Sequence, residues 1–192
     1  MSDVDIAVAP PVRVADWEAL AVPEGYRAEI IRGELVVTPG TDLDHGRAQS
    51  RLTVLLAAAA PSSFEPVSGI EWRLDVGGVV AMAPQPDIMV VPRSVKGPAI
   101  LLAPLLAVEV LSPSDLSHRL ANGMTRREGK LADYAANRLE DYLEIDLTAA
   151  TPVAVRYELR SDTLVEVDRA DGTAALRAVR PFAYEFRPAE LV

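Results

Sequence analysis

The spacing of hydrophobic and polar positions changes several times along the chain, and each change predicts a different element. A short apolar pattern in "RVADWEALAVPEG" predicts a helix that a proline and a glycine stop. Two strand-like runs in "YRAEIIRGELVVTPG" flank Arg32 and Gly33 and predict a hairpin. The apolar residues of "DHGRAQSRLTVLLAAAAP" cluster on one face, which predicts a long buried helix capped by Asp44 and closed by Pro61.

The second half of the chain is richer in strand patterns. The segments "EPVSGIEWRLDV" and "VVAMAPQPDIMVVP" alternate in short runs, and "LLAPLLAVEVLSP" contains an apolar run that predicts a buried strand over about residues 105–111. A helical pattern in "MTRREGKLADYAANRLE" is followed by four strand patterns: "DYLEIDL", "PVAVRYELR", "TLVEVDR" and "FAYEF". This order predicts an α/β protein of the mixed α+β type, with a central sheet and few helices.

Length and composition fit one folded domain. We expect residues 13–192 of the 192-residue chain to form it, after a flexible tail at 1–12. No run of about 18 apolar residues indicates a membrane span, and the start lacks the pattern of a signal peptide. The chain has no cysteine, which excludes disulfides and thiolate metal sites and makes the cytoplasm the expected compartment.

The charge balance is acidic, with a formal net charge of -9 and a pI near 4.7. That argues against broad non-specific binding to nucleic acid, which needs a basic footprint. The segment 112–130 is an exception, because its four cations outnumber its two acids. It is either a local basic footprint or a solvated loop and helix start.

Glu109 interrupts an apolar strand, between Val108 and Val110, where an unpaired ionised carboxylate is costly to bury. Asp87, in "PQPDIMVVP", borders a similar run 22 residues earlier, which leaves room for two neighbouring strands. If these strands pair, two charges about 5 Å apart at an effective dielectric of ~20 repel by roughly 3 kcal/mol. A shared proton, a basic side chain or a divalent metal could offset this repulsion.

A metal bound through oxygen fits these residues best. Two carboxylates, a strand carbonyl and waters form an incomplete octahedron of the Mg²⁺ type. Lys130, on the following helix, could then supply positive charge near a nucleophilic water or an oxyanion. The structural alternatives are a Pro-Asp turn for Asp87, an ion pair with an arginine for Glu109 and an exposed helical position for Lys130.

These stretches carry a resemblance. "PQPDIMVV", "LAVEVLSPS" and a lysine in "KLADYAA" resemble the bacterial "putative restriction endonuclease" domain family of the PD-(D/E)XK nuclease-like superfamily. Further positions that match the family's pattern are a Glu before a hairpin, a His opening a helix, and a Ser and a Tyr near the acid and the lysine: Glu29, His45, Ser112 and Tyr134. The match spans about Trp17 to Phe186.

The resemblance implies a restriction-endonuclease-like core, a central mixed sheet flanked by helices. It also implies Mg²⁺, or Mn²⁺, bound by Asp87, Glu109 and the backbone carbonyl of Val110. The superfamily's usual lysine position is Leu111 here, so Lys130 becomes the candidate; its long stem can reach the same place from another backbone position. The implied activity is hydrolysis of phosphodiester bonds in nucleic acid, with DNA as the expected substrate and a homodimer as the expected assembly.

Three accessory residues have two interpretations each. Glu29 is a third acid at the metal or an exposed hairpin residue. His45 is a proton carrier, a phosphate contact near a helix start or a surface histidine. Ser112 binds a phosphate or only makes a turn. For the whole protein, the alternative function is a nuclease-like module that has lost its chemistry and serves dimerisation or partner binding.

Overall fold

A computed structural model describes residues 11–192, so the tail predicted at 1–12 lies almost wholly outside the described residues. The helices are α1 Val14–Glu18, α2 Leu43–Ala59, α3 Pro113–Ser117, α4 Arg126–Ala136 and a 3₁₀ turn at Pro188–Glu190. The strands are β1 Tyr26–Ile31, β2 Glu34–Pro39, β3 Phe64–Val67, β4 Glu71–Trp72, β5 Leu74–Val76, β6 Val79–Met82, β7 Ile88–Pro92, β8 Ala99–Ile100, β9 Leu106–Leu111, β10 Asp141–Asp146, β11 Val153–Arg160, β12 Thr163–Asp171, β13 Leu176–Ala178 and β14 Tyr184–Phe186.

A six-stranded sheet with the order β12-β11-β10-β9-β7-β3 forms the centre. β9 and β10 run parallel, and the other neighbours in this sheet run antiparallel. The parallel pair needs a long crossover, and α3 and α4 lie in it. The prediction of a mixed sheet with few helices is confirmed.

The two faces of the sheet carry separate cores, and β9 contributes to both. Leu106, Val108 and Val110 pack in a cluster with the buried residues of α2, and Ala107 packs in a second cluster with Tyr134 of α4. This alternation follows from the two-residue period of a strand. Glu109 therefore faces the α4 side, because it is two residues from Ala107.

The hairpin and the main helices lie where the sequence predicts them, with one correction at the cap of α2. Arg32 and Gly33 both have positive φ, 55° and 77°, as the tight turn between β1 and β2 requires. The cap of α2 is Asp42, which accepts from the amide of His45, whereas Asp44 is exposed and pairs with Arg47.

The stretch after β9, predicted only as a turn, forms the short helix α3. β13 is a strand that the sequence patterns did not indicate. Within residues 11–192, no helix is both long enough and apolar enough to cross a membrane.

Candidate active site

Strand register brings the two predicted acids together. β7 pairs with β9 so that Ile88 lies opposite Val108 and Met89 opposite Ala107. One further step past the start of β7 places Asp87 opposite Glu109, on the same face of the sheet. The amide of Val110 donates to Oδ2 of Asp87 at 2.7 Å, which ties the two strand ends together at this point.

Helix α4 supplies the partners of Glu109. Nζ of Lys130 donates to both carboxylate oxygens at 2.9 Å, and the hydroxyl of Tyr134 donates to Oε1. Lys130 and Tyr134 are four residues apart, so one helix face presents both. A capping box between Thr125 and Glu128 fixes the start of this helix.

A glycine in α4 allows this helix to pack closely against the hairpin, which brings Lys130 to the acids. A Cβ at Gly129 would lie 2.5 Å from a methyl carbon of Leu120 and 2.8 Å from one of Ile31. A side chain at this position would push α4 away from β1. Gly129 therefore sets the distance between Lys130 and the acids on the strands.

Asp87 has a separate set of partners, which come from β1 and α2. Nη1 of Arg27 donates to Oδ1 at 3.3 Å, and Nε2 of His45 lies 2.9 Å from the same oxygen. Burial acts to raise the pKa of Asp87, but the adjacent imidazole of His45 and the charge of Arg27 outweigh it, so the pKa is lowered. Asp87 is therefore held ionised.

Glu29, on β1, joins the two halves of the site. Its Oε1 accepts from the amide of Gln85 at 2.8 Å and lies 3.0 Å from Nζ of Lys130, and its Oε2 pairs with Arg126. Nη1 of Arg126 lies 2.7 Å from Oδ1 of Asp115. Burial would raise the pKa of Glu29, but Lys130 and the arginines lower it to about 2. The prediction of an exposed hairpin residue is wrong, because Glu29 is fully buried.

Glu109 is the one acid of the cluster whose pKa moves upward. Burial raises it and Lys130 lowers it, while the charges of Asp87 and Glu29 raise it further, to about 7. The repulsion expected between paired acids is therefore present at this residue. Basic side chains of the cluster offset it.

The donor set fits a hard divalent cation. Two carboxylates face each other across β7 and β9, and the Val110 amide already points toward Asp87. In an extended strand the N–H and C=O of one residue point toward the same neighbour, so the Val110 carbonyl also faces the Asp87 side. Carboxylates and a strand carbonyl are the oxygen ligands that Mg²⁺ and Mn²⁺ take.

Access to these donors is restricted. The side chains of Asp87 and Glu109 are 3% and 4% exposed, and protein donors bond to all their oxygens. Within residues 11–192, no cluster of three or more His, Cys, Asp or Glu side chains is arranged to hold a metal. Glu29 is likewise bonded through both of its oxygens, so saturation by protein donors does not distinguish it from Asp87 and Glu109.

The remaining predicted residues are divided between the site and the fold. His45 is buried at Asp87, which rules out the surface interpretation. Ser112 caps α3: its amide and hydroxyl both donate to Asp115, at 2.8 and 2.6 Å, so its hydroxyl is used in the turn. The segment 112–130 is not a free basic footprint, because Arg126 and Lys130 are buried in ion pairs.

The sequence did not assign three residues of the cluster to the site: Arg27 was not singled out, and Asp115 and Arg126 counted only as charges of the segment 112–130. Arg27 stands in a strand pattern that only predicts alternation, and Asp115 and Arg126 look like polar residues of a turn and a helix start. The sequence indicated only that buried acids require cationic partners. It did not indicate which arginines those partners are.

The fold and family agree with this geometry. A family model, Uma2, described as "Putative restriction endonuclease", matches residues 14–187. The solved structure of a "putative nuclease belonging to DUF820" from Anabaena variabilis is similar in fold, with a TM-score of 0.69 and 20% identity over 94% of this chain and 97% of that chain. A search among curated proteins found no match.

Proposed function

This chain belongs to the Uma2 family of restriction-endonuclease-like proteins, and we propose that it is a divalent-metal-dependent endonuclease that hydrolyses phosphodiester bonds in DNA. One observation carries this proposal: Asp87, Glu109 and Lys130, distant in sequence, meet at one point of the sheet. We propose Asp87, Glu109 and the carbonyl of Val110 as ligands of Mg²⁺ or Mn²⁺.

The metal, when bound, polarises the phosphodiester and lowers the pKa of a bound water. The chain's own residues hold the rest of the site in place. Lys130 touches Glu29 as well as Glu109, so its ammonium would keep a partner if Glu109 held a cation. Because the pKa of Glu29 is about 2, this anchor stays charged at every working pH. Lys130 is thus positioned to stabilise negative charge on a phosphate oxygen or an attacking water.

His45 has a separate role in this proposal. It contacts Oδ1 of Asp87 and has little exposure, so it can orient that carboxylate. Histidine is also a side chain that exchanges protons near neutral pH. We propose His45 as an accessory residue that orients Asp87 and carries a proton, whereas Ser112 acts through the turn that it caps.

A cleavage assay tests the proposal. We expect supercoiled plasmid to be cut when Mg²⁺ or Mn²⁺ is titrated in, and cutting to stop on chelation. Asp87→Asn should lower the rate by roughly a hundredfold or more, since a lost metal ligand costs several kcal/mol of transition-state stabilisation. Asp141→Asn is the matched control. Asp141 is also buried and ion-paired, but it is the first residue of β10 and lies away from the acid cluster. Single-stranded DNA and RNA of the same sequence identify the substrate.

The alternative function, a non-catalytic module, is favoured by one observation. Protein donors occupy the oxygens of both candidate ligands, so the cluster is stable as a closed network. Absence of cleavage with every metal and substrate by a folded protein would favour this module. The expected homodimer and cytoplasmic location apply to both the endonuclease and the non-catalytic module. Light scattering on the purified chain measures whether it is a dimer.

A further inference from the structure

A cavity of about 310 Å³ lies beside the carboxylate cluster and opens to solvent. It adjoins the cluster at Arg27 and Gln85, the two residues that contact Asp87 and Glu29. Its wall also holds exposed apolar side chains and an indole: Leu20, Val22, Tyr26 and Trp17. The cavity thus combines an apolar wall with a charged floor.

Arg27 stands between this cavity and the acids. Its side chain is 18% exposed, whereas the Asp87 side chain that it contacts is 3% exposed. Its Nε is buried and has no hydrogen-bond partner among the described residues. The exposed part of Arg27 lines the cavity, and a guanidinium presents several donors in a planar fork that matches phosphate.

The one carboxylate on the wall is partly compensated by a neighbouring arginine. Glu71 accepts from Nε1 of Trp17 at 3.0 Å, and its Oε1 lies 3.6 Å from Nη1 of Arg73. Arg73 also pairs with Glu18 and Asp75, so it offsets only part of the charge of Glu71. The same hydrogen bond holds the indole of Trp17 in place against the cavity.

We propose that this cavity binds one unstacked nucleotide of a single-stranded nucleic acid, with its phosphate on Arg27 and its base against Trp17. This inference rests on the proposed nuclease function, since it names how the substrate reaches Asp87. A volume near the lower end for small-molecule sites admits one nucleotide, and a base can enter it only after leaving the stack. Aromatic rings and cationic side chains are what unstacked bases and their phosphates bind.

A direct binding experiment without metal tests this subsite separately from catalysis. Fluorescence anisotropy in EDTA would follow a labelled oligo(dT) strand and a duplex of the same length. We expect the single strand to bind more tightly than the duplex, and Arg27→Ala to weaken single-strand binding by about tenfold. Arg93→Ala is the charge-matched control, because Arg93 is an exposed, ion-paired arginine just beyond the far end of β7. It should change affinity by less than about twofold.

Two further measurements guard against misfolding. Arg27→Lys keeps the charge and loses the fork, so it should weaken binding by about threefold if Arg27→Ala does not fold. Bound single strand should also quench the fluorescence of Trp17, and Trp17→Phe should remove the quenching, since Trp72 is buried.

Equal affinity of Arg27→Ala and Arg93→Ala, duplex binding as tight as single-strand binding, or no binding at all would each overturn the subsite. The plasmid assay tests the nuclease function independently. If the unmodified chain cuts plasmid but Arg27→Ala binds single strands normally, the nuclease proposal stands and only the subsite is rejected.

Discussion

Two buried glutamates on neighbouring strands, Glu109 on β9 and Glu144 on β10, have nearly the same surroundings. They are register partners across the parallel pair, so they lie side by side on the α4 face of the sheet. Each is 3% exposed and paired with a cation from α4, Lys130 or Arg127. Each also has a tyrosine hydroxyl beside its carboxylate.

The two pairs differ in the charged residues that surround them. Arg127 donates to Glu144 at 2.7 Å and also to Tyr157, and its side chain is 26% exposed, so this pair is a single acid with a partly hydrated cation. Glu109 shares a buried ammonium with a second acid and faces Asp87. The comparison teaches that a buried Glu–cation pair is not in itself a site. The crowding of several acids around one cation distinguishes the candidate active site from a structural ion pair.

The largest expected effect separates the two glutamates by activity. Glu109→Gln should lower metal-dependent cleavage by roughly a hundredfold or more, because it removes a candidate ligand. Glu144→Gln should leave the rate within about threefold, because Glu144 contacts Arg127 and Tyr142 instead of the acids. Initial rates on plasmid at fixed Mg²⁺ measure both. Equal losses in the two variants would show that the distinction drawn between these residues is wrong.

The second effect separates the two cations by stability. Lys130→Met leaves Glu109 and Glu29 buried without their shared ammonium, which should cost about 3–5 kcal/mol in the free energy of unfolding. Arg127→Met leaves one buried acid instead of two without its cation, and Arg127 is partly exposed, so we expect a smaller cost of about 2 kcal/mol. Urea denaturation with a common m-value measures both. A larger loss in the arginine variant would mean that Glu144, not Glu109, depends more on its cation.

The third effect is the pH dependence of stability. The pKa of Glu109 is about 7 in the folded chain, above its ordinary value of 4.5, so the folded state binds this proton more tightly than the unfolded state. Stability from this residue is therefore present below about pH 4.5 and is lost as pH rises to about 7, a change of about 3 kcal/mol. Glu29, with a pKa of about 2, stays ionised across this window and adds no slope.

Variants sharpen this pH profile. Glu109→Gln should flatten the fall of the unfolding free energy between about pH 4.5 and pH 7. Burial also raises the pKa of Glu144, although its hydrogen bond from Arg127 opposes the shift, so Glu144→Gln should flatten the profile less. Denaturation midpoints at four pH values measure the slopes. An unchanged slope in Glu109→Gln would mean that Glu109 is ionised throughout.

The sequence predicted the sheet and the meeting of Asp87 with Glu109, because both depend on short-range pattern. An apolar run marks a buried strand, and an acid inside or beside such a run stands out. The pairing of the two strands was a condition of the prediction, and the structure meets it with Ile88 opposite Val108. Lys130 was proposed less directly, from its place on the helix after these strands and from the resemblance, since a helical lysine has no pattern of its own.

The cations that hold the acids could not be predicted, for a physical reason. Arg27 and Arg126 occupy positions whose local pattern fits a solvent-exposed face as well as a buried one. Only the tertiary approach of β1 and α4, allowed by Gly129, buries them. The same limit explains the wrong expectation for Glu29, since a hairpin pattern does not tell which helix covers it.

The smallest expected effect separates the two tyrosines. The hydroxyl of Tyr134 donates to Glu109 within a fully buried network, whereas that of Tyr142 lies 3.4 Å from Glu144, a long and weak contact. Tyr134→Phe should therefore lower the free energy of unfolding by about 1–2 kcal/mol, because a buried charged acceptor loses a donor. Tyr142→Phe should lower it by less than about 0.5 kcal/mol.

Both rings keep their packing in the phenylalanine variants, with centroids 5.5 Å apart, so the difference in denaturation midpoint isolates the hydroxyls. Equal midpoints would indicate that Lys130 alone satisfies Glu109.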